Sequence, residues 1–367
     1  MEAAMLNTTM TEKLFSNEGK MPFVENKHPD MAYITRLLDL CIETNMWANR
    51  GPLYHMLAEK YQAHMNVPLD RKIVPCANGG IGLEALGRHL EQGFGRKIRW
   101  VGSSFSFSNL GRGYFAGMQF IDCTLQGILD VEILASLDPS TFDGFVVTNP
   151  FGAWPDFSPF IEFAKSSGKF MLIDNAAGLS EQLPDWPYQS FSLHHTKPYG
   201  AGEGGLMLCP AGEAEAIYGL VSYGPLDEAG KWSWINNGKV SDISCAFQID
   251  RLASCDSWKP RYVEQTRRIT ELAARVGLTP LYPFDETIPA TSLPFCSAEP
   301  ILEERVQASK FLTLSKYYQP LAPTPVCMDI FSRLVNIPCH SDVAFISDDK
   351  LLHDFAQLTG KSAANLN

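Results

Sequence analysis

The chain has 367 residues, 45% hydrophobic and 19% charged, enough to bury a large core and to divide into two domains. A formal net charge of −11 argues against general binding to nucleic acid or anionic membranes, and no apolar run approaches the ~20 residues that cross a bilayer. Nine cysteines, at 41, 76, 123, 209, 245, 255, 296, 327 and 339, form no C-x-x-C pair, which points to reduced, mostly buried thiols in a cytoplasmic enzyme rather than a disulfide framework.

Residues 1–30 carry turn residues, no periodicity and no apolar signal-peptide core, and read as an N-terminal arm. Residues 31–65 are helical in pattern, broken at Asn49-Arg50-Gly51-Pro52, where Gly-Pro ends one helix and starts the next. Strands and helices then alternate. Strands are predicted at 71–76, 98–102, 119–122, 144–148 and 170–174, and helices at 81–90, 109–118, 131–137 and 159–166. This alternation predicts an α/β fold, a mostly parallel sheet between helices, with ligands at the C-terminal ends of the strands. Asn78, Phe107, Asn149 and Asp174 each closely follow a strand and so fall on one rim. Beyond about residue 235 the character changes. Residues 243–274 are mostly helical, 280–300 are Pro-rich, 303–318 are helical, 333–337 form a strand and 348–358 a last amphipathic helix. The predicted organisation is an arm (1–30), a large domain (31–235) and a smaller α+β C-terminal domain (236–367).

Lys197 is the most informative residue. It lies between the hydrophobic-aromatic segment Phe191-Ser192-Leu193-His194-His195-Thr196 and the run Gly200-Ala201-Gly202-Glu203-Gly204-Gly205, where a surface charge is unexpected. Desolvation there lowers the pKa of an amine and keeps it nucleophilic. Ser192 precedes it by five residues, and Asp174 closes the apolar run Phe170-Met171-Leu172-Ile173. A lysine able to form a Schiff base, a hydroxyl placed for a phosphate and a carboxylate to pair with a pyridinium nitrogen are what pyridoxal phosphate chemistry requires. Asn78-Gly79-Gly80-Ile81-Gly82, between a strand and a helix, suits a phosphate at the helix N-terminus. Such glycine-rich turns are common, and this one matches neither the dinucleotide fingerprint nor the P-loop. Asp174 alone fits a turn cap equally well, and Phe105 and Phe107 fit either the core or the face of a flat ring. His194 and His195 are adjacent, so they do not aim at one ion, and no metal site is expected.

Taken in order, these segments resemble the DegT/StrS-type (DegT/DnrJ/EryC1/StrS) nucleotide-sugar aminotransferases, within the aspartate aminotransferase fold. Asn49-Arg50-Gly51-Pro52 resembles the N-x-G-P lead-in, Asn78-Gly79-Gly80 the N-G-T phosphate loop, and Ser104-Phe105-Ser106-Phe107 the P-x-x-[FW] segment. Asp174-Asn175-Ala176 is similar to the D-A-A strand end. Ser192-Leu193-His194-His195-Thr196-Lys197 with Gly202-Glu203-Gly204-Gly205 resembles the S-F-H-x-T-K…G-E-G-G signature, and Asn237-Gly238-Lys239 the N-x-[RK] segment. Lys316-Tyr317-Tyr318-x-Pro320 and Asn336-Ile337-Pro338-Cys339-His340 also fit.

The resemblance implies an aminotransferase of nucleotide-sugar and polysaccharide biosynthesis, with an aspartate-aminotransferase-like large domain. It implies that Lys197 is the Schiff-base lysine and moves the proton, that Asp174 holds the pyridine nitrogen protonated, and that Phe107 stacks on the ring. Ser192 and the amides of Gly80 and Ile81 would bind the phosphate of pyridoxal 5′-phosphate. Asn237, with Lys239 nearby, would reach the neighbouring subunit's cofactor, implying a homodimer with shared sites. His194 and Lys239 are candidates for substrate contact, and Arg50 and Arg251 for the donor carboxylate. The donor would be an amino acid, L-glutamate first, and the acceptor a keto group of a nucleotide-linked deoxysugar. Three departures bear on that acceptor: Ala177 replaces a Gln or His, Gly80 replaces a Thr, and the segment between Gly277 and Glu304 is short. A smaller phosphorylated ketone or a cyclitol therefore stays open. So do a cofactor-dependent sugar dehydratase, whose relatives replace the lysine with histidine, and a non-catalytic cofactor-binding module.

Overall fold

The computed structural model describes residues 19–224, 234 and 236–360. The first 18 residues of the predicted arm, together with 225–233, 235 and 361–367 of the predicted domains, lie outside the described residues.

Helices α1 (Met31–Thr44) and α2 (Pro52–His64) lead into a seven-stranded sheet built from β1 (Arg71–Cys76), β2 (Trp100–Ser103), β3 (Gln119–Ile121), β4 (Gly144–Thr148), β5 (Phe170–Asp174), β6 (Gln189–Ser192) and β7 (Gly205–Pro210). The spatial order is β1-β7-β6-β5-β4-β2-β3, and β7 alone runs against its neighbours. Helices α3 (Gly79–Phe94), α4 (Val131–Ser136), α5 (Ser158–Ser167) and α6 (Ala214–Val221) cover the sheet. Side chains of successive strand residues point to opposite faces. Val146 and Leu172 accordingly pack with Leu83, Leu86 and Ile217, while Phe145, Val147, Met171 and Ile173 pack with Leu134 and Phe160. A sheet buried on both faces explains why β4 and β5 read as unbroken apolar runs.

The remaining chain forms α7 (Asp242–Ala253), α8 (Cys255–Arg275), β8 (Thr279–Pro280), β9 (Ser292–Cys296), α9 (Glu303–Gln307), α10 (Pro325–Arg333), β10 (Leu334–Pro338) and α11 (Asp348–Thr359). Its antiparallel sheet has the order β10-β9-β8. Helix α7 packs on α1 and α2, joining the two parts through one apolar cluster. Among the described residues no helix is long and apolar enough to cross a membrane. All nine cysteines are free thiols, and only Cys255 is not buried.

Several elements differ from the sequence expectation. The helix predicted at 109–118 is two short 3-10 turns, Ser108–Gly111 and Gly113–Phe115. Arg112 is extended between them (φ −137°) and Gly113 is left-handed (φ +53°), so no α-helix can run through. The helix predicted at 303–318 stops at Gln307. Beyond it the Asp354 carboxylate accepts the amides of Lys310, Phe311 and Leu312, and the chain pairs with Met21 on one side and Asn336 on another. A run that lends its amides to a buried carboxylate and to neighbouring strands cannot also close helical turns. Within the Pro-rich stretch lies β9, whose Pro294 is tolerated because the neighbouring β8 spans only two residues. Helices α6 and α10 and strands β6, β7 and β8 fall where the sequence predicts no element.

Candidate active site

The connection from β6 to β7 presents Lys197. Ser192 pairs with Gly205 across the antiparallel ladder, and the hairpin continues through Leu193 N–H to Gly204 O (2.8 Å) and His195 N–H to Gly202 O (2.7 Å). The amide of Lys197 then turns back to the His194 carbonyl (2.8 Å), and that of Gly200 to the Lys197 carbonyl (3.0 Å). A Cβ at Gly200 would lie 2.0 Å from the His194 carbonyl oxygen, so glycine is required for this close turn.

Three side chains from elsewhere fasten the loop. Gln248 of α7 donates to the carbonyls of Leu193 and Ala201 (both 2.8 Å) and accepts from the Ala201 amide (3.1 Å). Arg251 donates to the Pro198 carbonyl (2.7 Å) and pairs with the buried Glu25 (2.6 Å). Lys27 directs its ammonium at the carbonyls of His195 (2.6 Å), Lys197 (2.5 Å) and Gly200 (2.5 Å). Burial, then the Arg251 charge, draws the Lys27 pKa down from its ordinary 10.5 to about 7, with Glu25 opposing.

Lys197 opens into a cavity of about 530 Å³ at the C-terminal ends of β1, β2, β4, β5 and β6. That volume lies within the ~300–1,000 Å³ usual for small-molecule pockets. Asp174, Asn78, Asn149, Phe107, Ser192, Gly80 and His194 line it. Asp174 is buried and Lys197 half-buried in the cavity wall, near enough to influence each other's charge. Burial lowers the Lys197 pKa against the pull of Asp174. Burial also raises that of Asp174, against the Ala176 amide, Lys197 and Asn109. One Asp174 oxygen accepts the Ala176 amide at 3.0 Å.

The other expected residues fall as follows. Phe107 lies against the cavity half-exposed, while Phe105 is fully buried in the core beside Phe151 and Tyr318. Ser192 Oγ accepts only a long contact from the His194 amide (3.3 Å). Asn78 caps α3 by accepting the Ile81 amide (2.9 Å), so Gly79 and Gly80, not Ile81, present the first helical residues to the cavity. His194 Nδ1 meets Thr196 Oγ1 at 2.9 Å, and its Nε2 faces Glu203 at 3.3 Å. Asn237 and Lys239 do not line this cavity. Asn237 is exposed in a bridge with Ser222, and Lys239 lies over the Tyr223 ring. Arg50 forms a two-pronged pair with Glu215 (2.7 and 2.8 Å), and Arg251 is committed to the loop, so neither lines the cavity. Among the described residues no group of three or more His, Cys, Asp or Glu side chains gathers as for a metal.

Sequence reasoning missed Lys27, Gln248, Asn109 and Tyr318. Asn109 and Tyr318 line the cavity from segments read as helix, and Lys27 was read as part of a turn. The buried Oδ1 of Asn109 has no hydrogen-bond partner, an acceptor awaiting a donor at the cavity wall. A Cβ at Gly80 would meet only Asn78 Oδ1, at 3.4 Å, leaving open space over the helix start. A phosphate cradle, a carboxylate, a half-exposed aromatic face and a buried amine in one cavity fit a pyridoxal phosphate.

No family model matches the chain. Protein Rv3402c of Mycobacterium tuberculosis and Protein Mb3436c of Mycobacterium bovis are each 24% identical to it, over 89% of this chain and 87% of theirs. The fold is that of the DegT/DnrJ/EryC1/StrS-type aminotransferases. A DegT DnrJ EryC1 StrS aminotransferase from Brucella abortus superposes with a TM-score of 0.73 at 19% identity, covering 90% of this chain and 96% of that one. DesI, solved with its TDP-sugar product, gives 0.75 at 18% identity over 91% and 92%. Helicobacter pylori PseC, an aminotransferase of pseudoaminic acid biosynthesis, gives 0.73 at 14% identity over 92% and 98%.

Proposed function

We propose that the protein is a pyridoxal-phosphate-dependent aminotransferase acting on a small-molecule donor and a keto acceptor. The donor is an amino acid, L-glutamate in the first instance, and the acceptor a nucleotide-linked keto-deoxysugar or a related ketone. The observation that carries this reading is the meeting of half-buried Lys197 and buried Asp174 in one cavity whose walls include Gly79, Gly80, Ser192 and Phe107. The TDP-sugar product named for DesI and the aminotransferase role named for PseC support amino-group chemistry on sugar substrates, and the 3-amino-5-hydroxybenzoic acid synthase that shares the fold (TM-score 0.73, 17% identity) is named for an amino-bearing ring product.

The residues divide the work. Gly79, Gly80 and Ser192 would hold the phosphate, with the free amides and dipole at the start of α3 favouring the anion. Asp174 would hold a proton on the pyridine nitrogen, and Phe107 would cover the ring. Pyridoxal phosphate, when bound, supplies an electron sink for the developing negative charge at the amino-bearing carbon. Burial favours the neutral amine at Lys197, the form that acts as nucleophile and base. Its Nζ would take the proton from the donor's α-carbon. Asn237 and Lys239, outside the cavity of their own chain, would serve a second copy, making a homodimer with shared sites.

The test is a half-reaction. Reconstituted protein given L-glutamate should release 2-oxoglutarate in one equivalent, and Lys197→Ala should release none. Deoxygenation of a keto-sugar without incorporation of the amine would select the dehydratase instead. Tight cofactor binding with no keto acid from any amino donor would select the non-catalytic reading.

A further inference from the structure

Cys123 and Cys327 meet at the joint between the main sheet and the C-terminal part. Cys123 follows β3 and lies in a bridge with Leu129, whereas Cys327 is the third residue of α10. Asp122 brings them together. Its Oδ1 accepts the amides of both Cys123 (2.9 Å) and Cys327 (3.0 Å), and its Oδ2 accepts that of Val326 (2.9 Å). Two amides on one oxygen leave the cysteine nitrogens within about 6 Å of each other, a separation that suits a disulfide. Both side chains enter one buried cluster with Phe105, Leu281 and Ile330.

The two thiols are not equivalent. Of the nine cysteines, only Cys327 has its thiol drawn below the ordinary 9.0. A hydrogen bond from the Cys123 thiol does most of this, helped by the Ser104 and Thr324 hydroxyls, against burial and the Asp122 charge. Cys123 is pushed up by the same contact and then by burial, and the other seven are pushed up first by burial. The start of α10 adds a dipole that favours a thiolate. A sulfur that ionises first, with a second thiol beside it, is the arrangement that oxidises reversibly. Both are buried, so the oxidant must be small and the first step is slow. Pro325 and Met328, in the same turn as Cys327, are exposed.

We propose that Cys123 and Cys327 are a redox pair, which hydrogen peroxide converts to a disulfide tying β3 to α10. The Cys327 sulfur attacks one peroxide oxygen, the O–O bond breaks, and the departing hydroxide takes up a proton to become water. Cys123 then attacks the sulfur of the resulting sulfenic acid. Its proton leaves with the sulfenic oxygen as a second water. Two thiols are oxidised to one disulfide, and one peroxide is reduced to two waters. The bridge forms beside the cavity. Ser104 bonds Thr324 Oγ1 (2.5 Å), accepts the Leu321 amide (2.9 Å) and begins the segment that carries Phe107 to the cavity wall. Oxidation thus fastens the C-terminal part to that rim, whatever the cavity binds.

The test uses the intact chain without cofactor: peroxide treatment, blocking of the remaining thiols with N-ethylmaleimide, and peptide mass spectrometry. Wild type should lose two of its nine thiols, yield a linked peptide pair containing Cys123 and Cys327, and regain both thiols in dithiothreitol. In Cys123→Ser, which lacks the second thiol, Cys327 should stop at a sulfenic acid that dimedone traps. In Cys327→Ser, Cys123 should stay reduced under the same treatment. Oxidation at Cys255, the one cysteine not buried, with Cys123 and Cys327 still reduced would overturn the proposal. So would an oxidised Cys327 in wild type that never links to Cys123. The wild-type linkage decides the matter even if a serine variant misfolds.

Discussion

Lys27 shows how one residue outside the cavity governs one inside it. Its ammonium has three N–H donors, and the three carbonyls of His195, Lys197 and Gly200 use them all. With a folded pKa of about 7 against an ordinary 10.5, the unfolded chain binds this proton more tightly than the folded one. Stability therefore rises with pH between those two values and is lost on acidification toward neutrality. The difference in unfolding free energy between wild type and Lys27→Met should accordingly vary between pH 7 and 10, with wild type gaining as the pH rises. Parallel profiles would contradict the assignment. Because Lys27 holds the loop rather than touching substrate, Lys27→Met should also speed hydrogen exchange at the amides of Lys197 and Gly200. Nothing in Lys27-His28-Pro29 announces this role, since its acceptors lie some 170 residues away in sequence.

At the scale of elements, α2 begins at Gly51-Pro52 with no cap from its own side chains. The cap comes from α7: Asp242, fully buried, accepts the amides of Gly51 (3.1 Å), Leu53 (2.8 Å) and Tyr54 (3.1 Å). Asp242→Ala should cost about 2–4 kcal/mol in denaturant unfolding, since it strands buried amides and removes a charged acceptor. A loss below about 0.5 kcal/mol, the level of an ordinary surface change, would refute the capping role. The same contrast between local and distant causes explains what could be read in the sequence. Strands β1, β4 and β5 span the predicted 71–76, 144–148 and 170–174, and their C-terminal ends carry Asn78, Asn149 and Asp174 into one cavity. Residues 303–318 read as a helix because their pattern is amphipathic, but Asp354 and the strands beside them hold the chain extended. Strands β6 and β7 flank the lysine loop, and their pairing depends on β1 and β5, which no local pattern reveals. Tyr318 reaches the cavity from the C-terminal part and does not stand at an end of the main sheet's strands.

For the whole molecule, Asn237 and Lys239 stand apart from the cavity of their own chain, and the proposed homodimer gives them a cavity to serve. Sedimentation should therefore show a dimer. Mixing inactive Lys197→Ala with a weakened Asn237→Asp variant should restore part of the activity through hybrid dimers that carry one intact site. Activity no greater than that of Asn237→Asp alone would argue that each chain builds its site unaided. All of this presupposes that the Lys197 amine, within the β6–β7 loop, is where the cofactor attaches. Reduction with borohydride in the presence of pyridoxal phosphate, followed by peptide mass spectrometry, reads that directly. A single pyridoxyl-phosphate modification on Lys197, abolished in Lys197→Ala and diminished in Asp174→Ala, is the predicted result; modification spread over surface lysines with Lys197 untouched would contradict the account.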